Sequence, residues 1–299
     1  MNTPAFATTP ERILQRLDWH VVRRLDGLLQ GDYRSLFHGY GLDFSDLREY
    51  QLEDDIRYID WNVTARMDRP YVRQYYEDRA LTAWFLLDLS PSMNFGSFST
   101  LKRGVLLDFV AVMARLLTRH GNRVGAVLHD GHGRRVIPAG GGRMQVLRLI
   151  HEISRESATG NVPVTDVGAL LDAGLRLIRK RSLVFVVSDF ISVAGWERRL
   201  RLMNQKHEVV GVRVLDPSEL QLPDVGAVVL RDAETGEQLY VDTRDRRFRQ
   251  RFEALMADHE TQLMGHFRGV GADLLTMTTD HDLVRSLLAF AAMRKQRRR

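Results

Sequence analysis

From Leu81 to Met293 apolar residues follow two alternating rhythms. Unbroken apolar runs of strand length, Leu81–Leu87 and Leu183–Val187, are interspersed with longer stretches in which apolar residues recur every three or four positions. The unbroken runs suit strands buried on both faces, as in a parallel sheet beneath helices, and the slower rhythm suits those helices. Helices are predicted over Thr100–His120, Met144–Ser154, Thr165–Arg179, Trp196–Gln205, Arg244–Phe267 and Leu283–Met293. Further strands are predicted over Arg123–Leu128, Arg135–Ile137, Val209–Val214 and Ala272–Met277. The alternation specifies an α/β domain: a mostly parallel sheet with helices on both faces. Val225–Leu230 and Gln238–Val241, joined across Glu234-Thr-Gly-Glu237, predict a hairpin inserted at about 225–241.

The first 80 residues read differently. A helical rhythm over residues 10–30 (Ile13, Leu14, Leu17, Val21, Val22, Leu25, Leu28, Leu29) ends at Gly31. From Tyr33 to Arg79 charged and aromatic residues interleave without a period, with two short strands predicted near Val63–Arg66 and Tyr71–Tyr76 around Asp68-Arg-Pro70. Arg48, Asp55, Arg57, Asp60, Trp61 and Arg66 suit either a set of buried ion pairs and Arg–aromatic stacks or a partner-binding face. The expected organisation is an N-terminal helix and charged extension (1–80), the α/β domain (81–293) and a basic tail (294–299).

Composition narrows the chemistry. The 299 residues contain no cysteine, which excludes thiolate metal sites and Cys nucleophiles and fits a cytoplasmic setting. No apolar stretch approaches the ~20 residues of a membrane span. The net charge of +5 is matched by five basic residues at the end, Arg294, Lys295, Arg297, Arg298 and Arg299, so the rest is balanced. Such a tail is expected to be a solvated end rather than a nucleic-acid grip.

The chemistry gathers where the first apolar run stops, at Asp88-Leu-Ser-Pro-Ser92. Open α/β sheets hold ligands beyond the carboxyl ends of their strands. One carboxylate and two hydroxyls form a hard oxygen set suited to Mg²⁺, although the serines could equally cap a following helix. Asp189 ends the second apolar run, and Thr165 precedes a predicted helix, where an N-cap is the ordinary role. If the two runs pair side by side, Asp88 and Asp189 share one sheet edge.

Asp88-x-Ser90-x-Ser92, then Thr165, then Asp189, resembles the metal-ion-dependent adhesion site of von Willebrand factor type A domains, a Rossmann-like fold. The resemblance implies serines and threonine on or near a Mg²⁺ (or another hard divalent cation), aspartates acting through water, and an acidic side chain from a protein partner completing the shell. A wider resemblance, carried by Leu47-Arg-Glu-Tyr-Gln-Leu-Glu-Asp-Asp-Ile-Arg-Tyr-Ile-Asp-Trp61, Ala65-Arg66 and Leu87-Asp-Leu-Ser-Pro-Ser-Met93, is to the bacterial domain-of-unknown-function family fifty-eight. Leu52-Glu53 departs from the Pro-Gly usual there. That family commonly accompanies a MoxR-type AAA+ ATPase, which the resemblance implies as a partner.

The expected function is therefore a Mg²⁺-dependent protein-binding module acting with such an ATPase, and not an enzyme. The rival is a Mg²⁺-dependent phosphoryl transferase or hydrolase with Asp88 as nucleophile, which would want a Lys or Arg clamp beside it. No GxxxxGK[ST], GxSxG or HExxH pattern occurs. His129-Asp-Gly-His132 reads as a hairpin turn and Asp280-His-Asp282 as a helix cap.

Overall fold

The computed structural model describes residues 9–22, 25, 46–51, 54, 56, 59–67, 69–74, 81–97, 100–131, 133–155, 165–280 and 282–297. They divide into two compact units, His38–Leu81 and the rest of the chain. Helix α1 (Pro10–Leu17) continues as a π turn over Asp18–Val22 and belongs to the larger unit. It buries Ile13, Leu14 and Leu17, while Arg16 and Asp18 pair with Asp108 (2.8 Å) and Arg115 (3.1 Å).

In the smaller unit, β1 (Asp46–Glu49) and β2 (Tyr71–Gln74) run antiparallel, with Glu49 opposite Tyr71. The segment expected as a strand near Val63–Arg66 is instead helical, α2 (Trp61–Met67). β-branched Val63 and Thr64 favour a strand locally, but Asp60 overrides them as a helix start. Its Oδ1 accepts from the Val63 amide at 3.3 Å and its carbonyl from the Thr64 amide at 2.9 Å. Asp60 is buried, whereas Trp61 is 68 % exposed and Arg66 is exposed, so neither forms the buried stack considered for this block. Arg48 belongs to β1. Asp55, Arg57 and the Leu52-Glu53 departure lie outside the described residues.

The larger unit holds the predicted α/β alternation. Its strands are β3 (Thr82–Asp88), β4 (Arg123–His129), β5 (Arg134–Gly140), β6 (Leu183–Ser188), β7 (Glu208–Leu215) and β10 (Asp273–Thr278). They form one sheet in the order β10-β7-β6-β3-β4-β5, parallel except where β5 returns antiparallel to β4. Its helices are α3 (Lys102–Arg119), α4 (Gly142–Ser154), α5 (Val167–Leu177), α6 (Trp196–Lys206), α7 (Arg246–Val270) and α8 (Leu283–Arg297). The hairpin β8 (Ala227–Arg231) and β9 (Gln238–Asp242) stands as a separate two-stranded sheet.

Side chains alternate across the sheet and fill a core on each face. Trp84, Leu86, Val184 and Val186 pack with α5, α6 and α7 through Leu170, Leu171, Leu200, Met203 and Phe267. On the other face Phe85 stacks on Phe185 (centroids 5.2 Å apart), and Phe109 of α3 meets Phe185 edge-on at 5.6 Å. Gly211 in β7 is required by this packing, because a Cβ there would run into the Phe267 ring.

The end of the chain corrects an expectation. Helix α8 continues through Arg297, and Arg294 is buried between Glu208 (2.5 Å) and Asp273 (2.7 Å). The first arginine of the expected basic tail is thus a structural ion-pair partner.

Candidate metal and carboxylate site

Strands β3 and β6 are parallel neighbours with Leu87 opposite Val187. That register delivers Asp88 and the Ser188-Asp189 pair to one edge of the sheet. The Ser188 hydroxyl donates to Asp88 Oδ2 at 2.6 Å, and the Ser90 amide donates to Asp88 Oδ1 at 3.0 Å, so both oxygens of this carboxylate are engaged. Beyond it a short 3₁₀ turn, Pro91–Asn94, brings Ser92 back over the edge. Ser90 and Ser92 hydroxyls lie 3.1 Å apart, and Ser92 donates to Asp189 Oδ2 at 2.8 Å. Asp88, Ser90, Ser92 and Asp189 therefore form one hydrogen-bonded chain. Neither serine side chain caps the 3₁₀ turn.

Thr165 approaches from the loop before α5. Its carbonyl accepts from the Ser192 hydroxyl (2.9 Å) and the Val193 amide (3.2 Å), which ties it to the loop that follows Asp189. The N-cap role belongs to its neighbour: Asp166 Oδ1 accepts from the Ala169 amide at 2.9 Å. Relieved of capping, Thr165 meets a carboxylate from the hairpin. Glu234 accepts from the Thr165 amide at 2.7 Å and from the Thr165 hydroxyl.

The loop after β6 is held in an uncommon shape. Phe190 takes a left-handed conformation (φ 60°), rare for a residue with a Cβ, and its ring is locked 5.3 Å from Phe267 and 5.6 Å from Trp196. This turn lets Asp189 Oδ1 accept from the Ile191 amide at 3.1 Å, which leaves Oδ2 facing Ser92.

The electrostatics centre on Lys102 at the start of α3. It is fully buried, and its ammonium lies 2.9 Å from Asp189 Oδ2 and 2.6 Å from Glu219. Burial alone would lower its pKa, but the Asp189 and Glu219 carboxylates overcome this and raise it. Among the described residues no cation pairs with Asp88. Burial first, and then the charge of Asp189, push it up to about 6 against hydrogen bonds from Ser188 and Ser90. A fourth acid, Asp216 at the end of β7, is also fully buried and accepts from Ser97, Ser218 and Thr279. It braces the loop entering α3 and the ends of β7 and β10.

Asp88, Ser90, Thr165 and Asp189 are each at most 3 % exposed; Ser92 is half-buried and is the most open of the five. Among the described residues no trio of His, Asp and Glu converges to hold a metal. Any cation at this edge would depend on hydroxyl as well as carboxylate oxygens, a donor chemistry that fits a hard divalent ion.

Lys102, Ser188, Asp216, Glu219 and Glu234 were not singled out by the sequence reading. One signal was available: a lysine in the first turn of a helix opposes the helix dipole and calls for nearby acids. The rival enzymatic reading wants a Lys or Arg clamp beside Asp88, whereas the buried Lys102 pairs with Asp189 and Glu219.

A model of the family described as protein of unknown function DUF58 matches residues 46–262. An uncharacterized protein of Mycobacterium tuberculosis and one of Mycobacterium bovis are each 36% identical over 95% of this chain and 89% of their own length. The chain belongs to the DUF58 family. Solved structures similar to this DUF58 protein include BatB from Bacteroides thetaiotaomicron, with TM-score 0.45 and 14% identity over 74% of this chain and 100% of that one. The SpRpn10 VWA domain is similar with TM-score 0.40 and 11% identity over 70% of this chain and 94% of that one. No helix among the described residues is long and apolar enough to cross a membrane.

Proposed function

We propose that this DUF58 protein is a Mg²⁺-dependent protein-binding module whose site captures an acidic side chain of a partner, and that the partner machinery is a MoxR-type AAA+ ATPase. The observation that carries the reading is the convergence of Asp88, Ser90, Ser92 and Asp189 into one hydrogen-bonded oxygen cluster, built from loops almost a hundred residues apart. Ser90, Ser92 and Thr165 would hold the ion, with Asp88 and Asp189 balancing its charge. The ion supplies an electrophilic point for a carboxylate. Asp88 orients the Ser90 loop through the Ser90 amide, and Lys102 fixes Asp189. The ATPase is suggested by the family resemblance alone.

The protein is proposed as a binder rather than an enzyme. Asp88 is 2 % exposed with each oxygen engaged, a poor state for a nucleophile. Titration calorimetry with Mg²⁺ tests the site: wild type is expected to bind, and Asp88→Ala and Thr165→Ala are expected to lose affinity at least tenfold while keeping a folded circular dichroism spectrum. Pull-downs from cells that encode the protein, with Mg²⁺ or EDTA, should retain the ATPase only with Mg²⁺. Unchanged Mg²⁺ affinity in both variants sinks the assignment of the site.

A further inference from the structure

We propose that Glu234 is a resident carboxylate of this site, seated where a partner's acid binds, and that the β8–β9 hairpin must lift before a partner can enter. The inference rests on the carboxylate-capturing reading above and gives that site an internal competitor.

Glu234 stands at the tip of the hairpin, sixty-nine residues from Thr165, yet engages both polar hydrogens of that residue, amide and hydroxyl. Thr165 is a proposed ion-holding residue and is 3 % exposed in this arrangement. An incoming acid therefore meets a position already taken.

The turn is built to present this side chain. Asp232 Oδ1 accepts from the amides of Glu234 (2.8 Å) and Thr235 (2.7 Å), and its carbonyl accepts from the Gly236 amide at 3.1 Å. Gly236 takes the left-handed conformation the turn requires (φ 76°). Glu234 is half-buried, while Ala233, Thr235 and Glu237 beside it are exposed. A pre-shaped turn with one acid pointed inward loses little entropy on docking.

The rest of the hairpin is suited to move. Among the described residues its strands pair only with each other; Val229, Leu239 and Tyr240 are 47 %, 58 % and 78 % exposed and Val228, Leu230 and Val241 half-buried, so no residue of either strand is fully buried in the core. A lone two-stranded ribbon is marginal in water. Its base is closed by Thr243, whose amide and hydroxyl both donate to the Gly226 carbonyl at 2.9 and 2.8 Å. Fastened at the base and touching the site at the tip, the ribbon is a tethered ligand. A tether of this length gives an effective concentration of about a millimolar, enough to exclude weak acids and yield to a strong partner.

The test uses full-length protein and a peptide of residues 231–238, titrated with Mg²⁺ or EDTA into wild type, Glu234→Ala and, as control, Glu237→Ala. The expected result is Mg²⁺-dependent binding at least about tenfold tighter to Glu234→Ala than to wild type or the control, since removing a bound competitor frees the competent state. Hydrogen exchange at the Thr165 amide should be at least tenfold faster in Glu234→Ala than in wild type. Equal peptide affinity in all three proteins overturns the resident-ligand inference and leaves the carboxylate-capturing reading standing. Failure of the peptide to bind Glu234→Ala, although calorimetry shows the ion bound, overturns it as well. Absence of Mg²⁺ binding by every form removes the underlying reading and this inference with it.

Discussion

Asp216 illustrates how a single buried charge can organise several loops. Both oxygens accept hydrogen bonds: from the Ser97 amide and hydroxyl, the Ser218 amide and hydroxyl, and Thr279. Burial would raise its pKa, but these donors outweigh burial and hold the carboxyl well below the usual range. Its stabilisation is therefore complete above the ordinary value of 3.8 and is lost as pH falls below it. Asp216→Asn turns an acceptor into a donor facing other donors and should cost roughly 2 kcal/mol or more, read as a lower urea midpoint at neutral pH. Lys102→Met should be harsher, at about 3–5 kcal/mol, because it strands Asp189 without its cation. Added Mg²⁺ should then raise the melting temperature of Lys102→Met more than that of wild type, because ion binding to the folded form alone is stabilising. Equal shifts in the two proteins would detach Lys102 from the ion's charge balance.

Elements show which parts of the fold were readable. The runs Leu81–Leu87 and Leu183–Val187 became neighbouring strands because only a doubly covered sheet can bury uninterrupted apolar sequence. The hairpin near 225–241 was legible from its turn residues and short flanking runs. The strand expected near Val63–Arg66 failed because a cap three residues upstream outweighed β-branched propensity. The N-cap at α5, the ordinary alternative for Thr165, is filled by Asp166, and the Thr165 hydroxyl bonds Glu234 instead. Asp166→Ala should cost about 1 kcal/mol of stability and leave Mg²⁺ affinity unchanged, a separation that calorimetry and chemical denaturation can make together. Phe190→Ala should cost about 3–5 kcal/mol by emptying the aromatic pocket behind Asp189.

At the scale of the whole molecule, charge and pH come together. His207 is buried, with neither ring nitrogen meeting a partner among the described residues, and burial, then Lys206 and Arg181, lower its pKa. A depressed histidine favours the neutral ring, so its contribution is intact above 6.5 and declines as the pH falls below that value. His207→Leu should flatten the loss of stability between neutral and mildly acidic pH, followed by denaturant midpoints across that range. Asp88, Ser90, Ser92 and Asp189, which hydrogen bonds join at one sheet edge, stand out along the chain because their residue types follow a spaced pattern. Lys102 was legible only as a first-turn lysine in need of acids, and Glu234 not at all, because their partners lie 87 and 69 residues away, across turns whose direction no local rhythm encodes.

The pairing of Leu87 with Val187 has a consequence for assembly. Sliding β3 past β6 by a single step would set Asp88 opposite Val187, and two steps the other way would set Asp189 opposite Leu87, each in the buried apolar body of the sheet where water cannot follow. The two aspartates thus work as end-stops on adjoining rails: a misaligned sheet is penalised by the same groups that line the candidate site of the aligned one.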